Sequence, residues 1–254
     1  MNNDISKSPS TFNLVIIIPC YNEENRLSIK KIEYFLSFYN DVLLVLVNDG
    51  STDLTKKKLD ALKLLFPNNI KTLHLNRNLG KAEAVRQGML FSLNRVDFQK
   101  IAYLDADFST SLQECYELSH YLNKDICFVF GSRIAKIDTE IKRKKLRFLI
   151  GRVVATLISQ QLKLKIYDTQ CGCKIFEKTL AENIFQEKFI SRWLFDVEIF
   201  HRIITIKGRY NMKNVARELP LKKWIDTEDS RVKLNFFFKL GYDLITIRNK
   251  YKSI

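Results

Sequence analysis

Glycine and proline are scarce in this sequence of 254 residues, with 8 and 4 of them respectively. So few turn formers argue against long flexible linkers. The sequence also lacks an uncharged apolar run of the roughly 18–20 residues that cross a bilayer. Its start does not show the basic and then apolar pattern of a secretory signal. We therefore expect a folded protein that is soluble or lies on a membrane without crossing it.

Paired cysteines are lacking as well. The chain has five cysteines, an odd number, and their spacing fits neither a zinc site nor a disulfide scaffold. They are Cys20, Cys115, Cys127, Cys171 and Cys173. This pattern suits the reducing setting of the cytoplasm.

Positive charge is what the sequence has in excess. It contains 42 Lys and Arg against 28 Asp and Glu, a formal net charge of +14. Such a charge implies an anionic partner, namely a nucleic acid, a nucleotide, a phospholipid surface or a phosphorylated substrate. With 46% hydrophobic residues the chain can bury a substantial core. We expect a flexible tail over residues 1–12 and a single domain over residues 13–254.

Strand and helix patterns alternate along the first half. Continuous apolar segments predict strands at residues 14–18, 42–47, 70–75 and 101–104, the first of them stopped by Pro19. Helical spacing occurs between them, over residues 27–39, from about 54 to 66 and over 82–94. This alternation predicts an α/β fold, with a mostly parallel sheet and helices on both faces.

Polar and acidic side chains follow three of these strands. Asn22 and Glu23 follow the first, Asp49 the second, and Asp105 and Asp107 the fourth. The carboxyl ends of parallel strands meet at one edge, where ligands bind. Two neighbouring carboxylates repel each other unless a cation lies between them, and a hard divalent ion bridging to a diphosphate suits them. The alternative for an isolated Asp-x-Asp is a solvated turn, but three such ends favour a cleft for a nucleotide and a metal.

Basic residues alternate with apolar ones in two later segments. Residues 141–165 hold eight Lys or Arg and no Asp or Glu, with apolar residues at helical spacing. The C-terminal segment repeats the theme, with residues 236–240 and 244–247 among further Lys and Arg. A basic amphipathic helix can lie in a membrane interface. The alternative is an ordinary helix that packs on the core and has a solvated basic face.

Several segments together resemble a known family. Residues 15–24 (VIIIPCYNEE), 48–53 (NDGSTD), 80–88 (GKAEAVRQG) and 105–107 (DAD) are similar, in this order, to the family 2 glycosyltransferases of the GT-A fold. Residues 131–133 (GSR), 168–176 (DTQCGCKIF) and 192–198 (RWLFDVE) resemble the polyprenyl-phosphate branch, in particular the dolichyl-phosphate β-glucosyltransferase type. The resemblance covers residues 14–251.

The resemblance implies a metal-dependent, inverting enzyme that moves a hexose, in the first place glucose from UDP-glucose, to a polyprenyl phosphate at the cytoplasmic membrane face. Donor binding is then assigned to residues 13–130, with Tyr21 stacking on the base and Asp49 accepting from the uracil N–H. The full donor set is Pro19, Tyr21, Glu23, Asp49, Lys81, Arg86, Asp105 and Ala106. Asp105 and Asp107 would hold Mg²⁺ or Mn²⁺.

Acceptor binding is assigned by the same resemblance to residues 131–254. Arg133, Gln170 and Glu198 would contact the acceptor, and the catalytic set is Asp107, Asp168, Asp196 and Arg133. A phosphate acceptor is already anionic near pH 7, so it needs no strong base. It needs cations that offset the repulsion between two phosphorylated substrates, for which arginine is well suited. The alternative for Asp196 and Glu198 is that they orient neighbouring basic side chains, while Trp193 and Phe195 anchor their helix.

The sequence departs from the family pattern in three places. Asn48 replaces the first Asp of the usual pair, and Ser109 lies where some relatives carry a metal-binding Gln. The transmembrane helices of many relatives are missing. The basic segments, or a membrane partner protein, must then provide docking to a lipid acceptor.

Two other functions remain as alternatives. One is a family 2 transferase that acts on a saccharide or other hydroxyl acceptor in cell-surface polysaccharide synthesis, with Asp196 as an obligatory base. The other is a nucleic-acid-binding protein, which would explain the net charge. The chain shows no recognisable DNA- or RNA-binding motif, so we expect no nucleic-acid partner.

Overall fold

The computed structural model describes residues 11–142, 145–225 and 235–252, without the side chains of residues 145–147 and 235–239. Its strands are β1 (Phe12–Cys20), β2 (Val42–Asp49), β3 (Ile70–Leu75), β4 (Phe98–Leu104), β5 (Phe128–Ser132), β6 (Glu140–Lys142), β7 (Cys173–Glu177), β8 (Ala216–Pro220) and β9 (Lys223–Ile225). Its helices are α1 (Ile29–Leu36), α2 (Thr55–Leu65), α3 (Lys81–Arg95), α4 (Leu112–Ser119), α5 (Lys145–Leu162), α6 (Lys178–Ile184), α7 (Phe195–Lys207), α8 (Met212–Val215) and α9 (Asn235–Lys250).

A seven-stranded sheet forms the centre, in the order β3-β2-β1-β4-β7-β5-β8. β1 pairs in parallel with β2 and β4, β2 with β3, and β5 with β8. β7 is antiparallel to both of its neighbours. The mostly parallel sheet is therefore confirmed, and β7, which no sequence pattern predicted, makes it mixed. β6 and β9 form a separate parallel pair.

Helices cover both faces of the sheet, as predicted. In β1, Leu14, Ile16 and Ile18 point into a core that also contains residues of α1, α2 and α4. Val15 and Ile17 point to the opposite face, into a core with residues of α3, α6 and α7. This alternation buries β1 on both sides, which explains its continuous apolar sequence.

Two boundaries of β1 differ from the prediction. The strand begins at Phe12, inside the segment predicted as a tail, whose residues 1–10 lie outside the described part of the chain. It also runs through Pro19 and ends at Cys20. The last pair between β1 and β4 joins Ile17 to Tyr103, so Pro19 lies where β4 no longer flanks β1. Proline has no backbone N–H to donate, and it is tolerated where a strand lacks a hydrogen-bonded neighbour on one side.

Local signals set the ends of several helices. Ser28 caps α1 by accepting a hydrogen bond from the backbone N–H of Lys31. Ser111 caps α4 in the same way through the N–H of Glu114. α2 ends at Leu65, ahead of Pro67.

The two basic segments form α5 and α9, and each packs one face on the core. Ile158 and Leu162 of α5 and Leu244 and Ile247 of α9 are buried there, as the ordinary packed helix requires. On α5, the side chains of Leu149, Val153 and Leu157 stay exposed. In the C-terminal segment, residues 226–234 and the side chains of 235–239 lie outside the described part, including Arg231, Lys233 and Phe236–Phe238. Among the described residues, no helix is long and apolar enough to cross a membrane.

Candidate active site

The loops that follow β1 and β2 are joined into one polar wall. The backbone N–H of Asn22 donates to Ser51 Oγ at 3.0 Å, and Asn22 Oδ1 accepts from the N–H of Thr52 at 2.9 Å. The N–H of Glu23 donates to Thr55 Oγ1 at 2.7 Å. The predicted convergence of the first two polar strand ends is thus observed. Pro19 and Tyr21 are half-buried beside this wall.

Asp49, at the end of β2, organises the next loop. Its carboxylate is almost completely buried and accepts from the N–H groups of Leu79 and Gly80 at 2.7 and 2.8 Å, and from Asn78 Nδ2 at 3.0 Å. Burial raises the pKa of Asp49, while the two N–H groups and nearby Arg192 act in the opposite direction. The carboxylate therefore shapes the loop that precedes α3, and its expected uracil contact stays a prediction.

Arg192 holds the same loop from the outside. Its Nε donates to the carbonyl of Leu79 at 2.9 Å, and its Nη2 donates to Asn78 Oδ1 at 2.6 Å. Gly80 has φ of 96°, and a Cβ there would lie 2.5 Å from Arg192 Nε. Only glycine combines this backbone conformation with such a close approach. The clamp formed by Asp49 and Arg192 fixes the start of α3 and thereby the position of Lys81.

Lys81 forms an ion pair with the first carboxylate of the acidic pair. Its Nζ lies 2.6 Å from Asp105 Oδ1, and the Asp105 side chain is 42% exposed. The ammonium also lies over the rings of Tyr103 and Phe195, 5.9 and 5.8 Å from their centroids. Burial opposes the charge, but Asp105 raises the pKa of Lys81, as Asp196 and Asp107 do more weakly. A cation is therefore stable on Asp105.

The residues at the end of β4 fit a divalent metal ion. Asp105 is partly exposed and already carries a cation, the Lys81 ammonium. Asp107 is half-buried, and its Oδ1 accepts from the N–H of Ser109 at 2.9 Å. In the described part of the chain no three His, Cys, Asp or Glu side chains group into a metal site. Two carboxylates still suffice, because Mg²⁺ takes one or two from the protein and completes its shell with phosphate oxygens and water.

Gly172 lies directly against the acidic pair. Its carbonyl accepts from the N–H of Asp105 at 3.1 Å. A Cβ at this position would lie 1.9 Å from Asp105 Oδ2. The Asp105 carboxylate can occupy its place only because residue 172 has no side chain.

Replacing Gly172 with alanine is therefore expected to displace the Asp105 carboxylate. We expect metal-dependent donor binding to weaken by about tenfold or more, since one charge-assisted contact contributes roughly 1.5–3 kcal/mol. Calorimetric titration with UDP and Mn²⁺ measures this. Gly241→Ala is the matched control, because a Cβ there meets nothing within 4 Å. Equal donor affinity in Gly172→Ala and Gly241→Ala would refute the role of Gly172.

Asp196, at the start of α7, lies in a buried network. Its Oδ1 accepts hydrogen bonds from the Tyr103 hydroxyl and from Lys174 Nζ, the latter at 2.5 Å. Lys174 is fully buried in β7 and also donates to the carbonyl of Cys171 at 2.7 Å. Burial first, and then Asp196, raises the pKa of Tyr103 well above its usual value. The network joins β4, β7 and α7 beneath the acidic pair.

Arg133 and Asp168 form a second paired centre at the end of β5. Nε and Nη2 of Arg133 donate to the two Asp168 oxygens at 2.6 and 2.8 Å. Burial opposes the Arg133 charge, but Asp168, and more weakly Asp105, raise its pKa. Glu218 of β8 holds the loop that contains Asp168, because its carboxylate accepts from the backbone N–H of Asp168 at 2.7 Å. Nearby, the buried Nε2 of Gln170 donates to none of the described residues.

Three of the residues assigned to substrate by resemblance, Glu198, Arg86 and Glu23, are buried and paired within the fold. Glu198 is fully buried and accepts from Arg202, the N–H of Ile190 and the Tyr251 hydroxyl, so its contact with the acceptor stays a prediction. Arg86 is also buried, and its guanidinium pairs with Glu83 and donates to the carbonyl of Gln186.

Ala106 packs its methyl group into the core, so only its backbone can face a ligand. Glu23 is buried and paired with Arg26. Of the two residues proposed to anchor α7, Phe195 is buried whereas Trp193 is 43% exposed.

Sequence reasoning did not assign a role to Gly172, Lys174 or Arg192. A lysine inside the apolar segment that becomes β7 was a signal for Lys174, because a buried ammonium needs a carboxylate. The positions of Gly172 and Arg192 depend on contacts with segments 67 and 113 residues away in the chain, between Gly172 and Asp105 and between Arg192 and Leu79. No local pattern reports such contacts.

Comparison with known proteins agrees with this geometry. The sequence profile of the family described as "Glycosyl transferase family 2" matches residues 15–185. Curated relatives include a dolichyl-phosphate beta-glucosyltransferase of Trichomonas vaginalis, which is 31% identical over an alignment of 253 residues, gaps included. The match covers 94% of this chain and 74% of the relative. Another, from Saccharomyces cerevisiae, is 30% identical over 261 residues, with 94% and 75% coverage.

Solved structures show the same fold. One is glucosyl-3-phosphoglycerate synthase from Mycobacterium tuberculosis in complex with uridine-diphosphate, with a TM-score of 0.66, 14% identity, and coverage of 96% of this chain and 81% of that one. Another is mannosyl-3-phosphoglycerate synthase from Rubrobacter xylanophilus, with a TM-score of 0.68, 14% identity, and coverage of 94% and 73%.

The mixed sheet with an acidic edge is thus the α/β architecture of the GT-A type, as expected. The chain belongs to glycosyl transferase family 2, which confirms the resemblance.

Proposed function

We propose that this chain transfers glucose from UDP-glucose to the phosphate of a polyprenol such as dolichol, with inversion at the anomeric carbon and with Mg²⁺ or Mn²⁺. The observation that carries the proposal is the edge where Asp105, Asp107 and Lys81 meet the loops that follow β1 and β2. Relatives named dolichyl-phosphate beta-glucosyltransferases, 28–31% identical, support the substrate class. A structural neighbour described with Mn²⁺ and UDP-glucose supports the donor.

The donor half of the site would bind the diphosphate. When bound, the metal would act as a Lewis acid for the departing UDP, held by Asp105 and Asp107. Gly172 keeps the Asp105 carboxylate in place, and the clamp of Asp49 and Arg192 keeps Lys81 beside it. The protein would thereby fix the diphosphate before the acceptor arrives.

The acceptor phosphate oxygen would attack the anomeric carbon from the face opposite UDP. A bond forms from this oxygen to the carbon while the bond to the UDP oxygen breaks, and UDP leaves with the electron pair. No proton has to be removed, because the phosphate is already anionic near pH 7. Arg133 would offset its charge, and Nε2 of Gln170, which has no hydrogen-bond partner among the described residues, would donate to a sugar or acceptor oxygen.

The hydroxyl-acceptor alternative requires a base at Asp196. The Asp196 carboxylate is buried and accepts from Lys174 and Tyr103. Oδ1 of this carboxylate is thus already engaged by two donors within the fold. This arrangement favours a phosphate acceptor and a positioning role for Asp196.

The assay that tests the proposal presents the purified protein with Mg²⁺, a panel of labelled nucleotide sugars and a short polyprenyl phosphate. We expect label in the organic extract with UDP-glucose. Parallel reactions contain the unphosphorylated polyprenol or a soluble saccharide. Transfer to either of these, with none to the polyprenyl phosphate, would overturn the proposal in favour of a hydroxyl acceptor.

We also propose that the protein docks peripherally on the cytoplasmic face of a membrane through α5. Leu149, Val153 and Leu157 lie four residues apart along this helix and are 61%, 62% and 51% exposed. The segment 141–165 around them holds eight Lys or Arg and no acidic residue. Apolar side chains beside cations match the acyl boundary and the anionic headgroups of a lipid surface. All five cysteines are free and buried, which suits the cytoplasm.

Replacing Leu149, Val153 and Leu157 with glutamine is expected to lower partitioning onto anionic liposomes by about tenfold or more, because buried apolar surface and charge act together. Flotation with vesicles of phosphatidylserine and phosphatidylcholine measures this. A variant with Leu64→Gln and Leu65→Gln in α2 is the control, since these leucines are 81% and 60% exposed outside the basic segment. Equal flotation of both variants and the unmodified protein would contradict docking through α5.

A further inference from the structure

The start of α3 places a lysine where a helix does not favour one. Lys81 is the first residue of α3, and a helix N-terminus carries partial positive charge. A cation there adds to that charge and needs an anion opposite. Its partner in the described structure is Asp105, at 2.6 Å. On its other side, Asp105 Oδ2 lies in close contact with Gly172, because a Cβ added to residue 172 would overlap this oxygen.

The open side of Asp105 is the one that Lys81 occupies, because Oδ1 lies 2.6 Å from Lys81 Nζ and Oδ2 lies against Gly172. A divalent ion held by Asp105 and Asp107 would take oxygens of these same carboxylates as ligands. An ammonium 2.6 Å from the same carboxylate would then lie within a few ångströms of a double positive charge. One of the two cations must move, and Lys81 can, because its stem is flexible and its ammonium also lies over the rings of Tyr103 and Phe195.

We propose that Lys81 is a tethered counter-cation, which occupies the metal position on Asp105 in the unliganded protein and transfers to the donor diphosphate when the metal binds. This inference rests on the proposed metal and nucleotide site. The helix N-terminus and the lysine together then face the diphosphate, which replaces Asp105 as their anion. Lys81 thus opposes metal binding in the absence of nucleotide and supports nucleotide binding once the metal is present.

Opposite effects of one substitution test the proposal. Lys81→Met is expected to bind Mn²⁺ alone about three- to tenfold more tightly than the unmodified protein, the range of a partly exposed ion pair. With saturating Mn²⁺ it should bind UDP roughly tenfold or more weakly, because a charge-assisted phosphate contact is lost. The electron paramagnetic resonance signal of free Mn²⁺ measures the first, and calorimetry with UDP the second. Lys81→Gln repeats both measurements with a polar replacement.

Lys222→Met is the matched control. Its Nζ is paired with Glu117 at 2.7 Å, so the variant loses the same charge and an ion pair of similar length outside the site. Both of its affinities should equal those of the unmodified protein. If the unmodified protein binds Mn²⁺ and UDP, but Lys81→Met and Lys81→Gln bind Mn²⁺ no more tightly than it does, the role of Lys81 as a tethered counter-cation is wrong. The proposed function then still stands. If neither variant nor the unmodified protein binds Mn²⁺ or UDP, the proposed function fails with it.

Discussion

Replacement of Asp107 with alanine is expected to lower turnover by about 10³-fold or more, whichever acceptor is used. Asp107 and Asp105 are the two carboxylates at the end of β4, and stabilisation of the leaving diphosphate by a metal contributes several kcal/mol to the rate. The Asp107 carboxylate accepts only the Ser109 N–H among the hydrogen bonds in the described part of the chain, so its loss should leave the fold intact. Initial rates at saturating UDP-glucose and Mg²⁺ measure the effect.

Asp125→Ala provides the control for this experiment. Asp125 is exposed at the opposite edge of the sheet, before β5, and its loss changes the net charge equally. We expect it to have the turnover of the unmodified protein. Full activity in Asp107→Ala, with an unchanged melting temperature, would rule out a role for this carboxylate in holding the metal.

Replacement of Asp196 with asparagine is expected to destabilise the protein by about 3–5 kcal/mol, because it leaves the buried Lys174 ammonium without its counter-charge. For a chain of this size the melting temperature should fall by about 10 °C. Asp97→Asn is the control, since the Asp97 side chain is 64% exposed and its pair with Lys178 is 3.8 Å long. It should melt like the unmodified protein.

The double variant Lys174→Met with Asp196→Leu separates structure from catalysis. Replacing both partners of a buried ion pair with apolar residues often restores stability, so its melting temperature should recover most of the loss. If Asp196 is a positioning residue, this variant should retain measurable transfer to polyprenyl phosphate. A stable double variant without any transfer would show that the carboxylate itself acts in the reaction, against the argument that a phosphate acceptor needs no base.

The alternation of strands and helices in residues 12–104 could be predicted because each element carries its own periodicity. β3, for example, has the predicted bounds, Ile70–Leu75. The sequence did not predict β7 because this strand has only five residues. Its formation depends on pairing with β4 and β5, which are distant in the chain. The extension of β1 through Pro19 likewise depends on where β4 stops pairing with it, which β1 alone does not encode.

The acidic edge was predictable for a similar reason. Asp105 and Asp107 directly follow a recognisable strand, and their position at the sheet edge follows from the parallel topology. Glu198 and Arg86 have partners in distant segments, the Tyr251 hydroxyl and the carbonyl of Gln186, and no local pattern reports these contacts. A charged residue within a family motif is thus equally compatible with a ligand contact and with a buried structural pair until the fold is known.

We propose that the ends of β1, β2 and β4 form one site for a metal ion and a sugar nucleotide. Anomalous scattering from a crystal soaked with UDP and Mn²⁺ tests it most directly. We expect a manganese peak between the carboxylates of Asp105 and Asp107, with the UDP diphosphate beside it and Lys81 moved off Asp105. Clear density for UDP elsewhere on the protein, with no manganese at these two carboxylates, would contradict it.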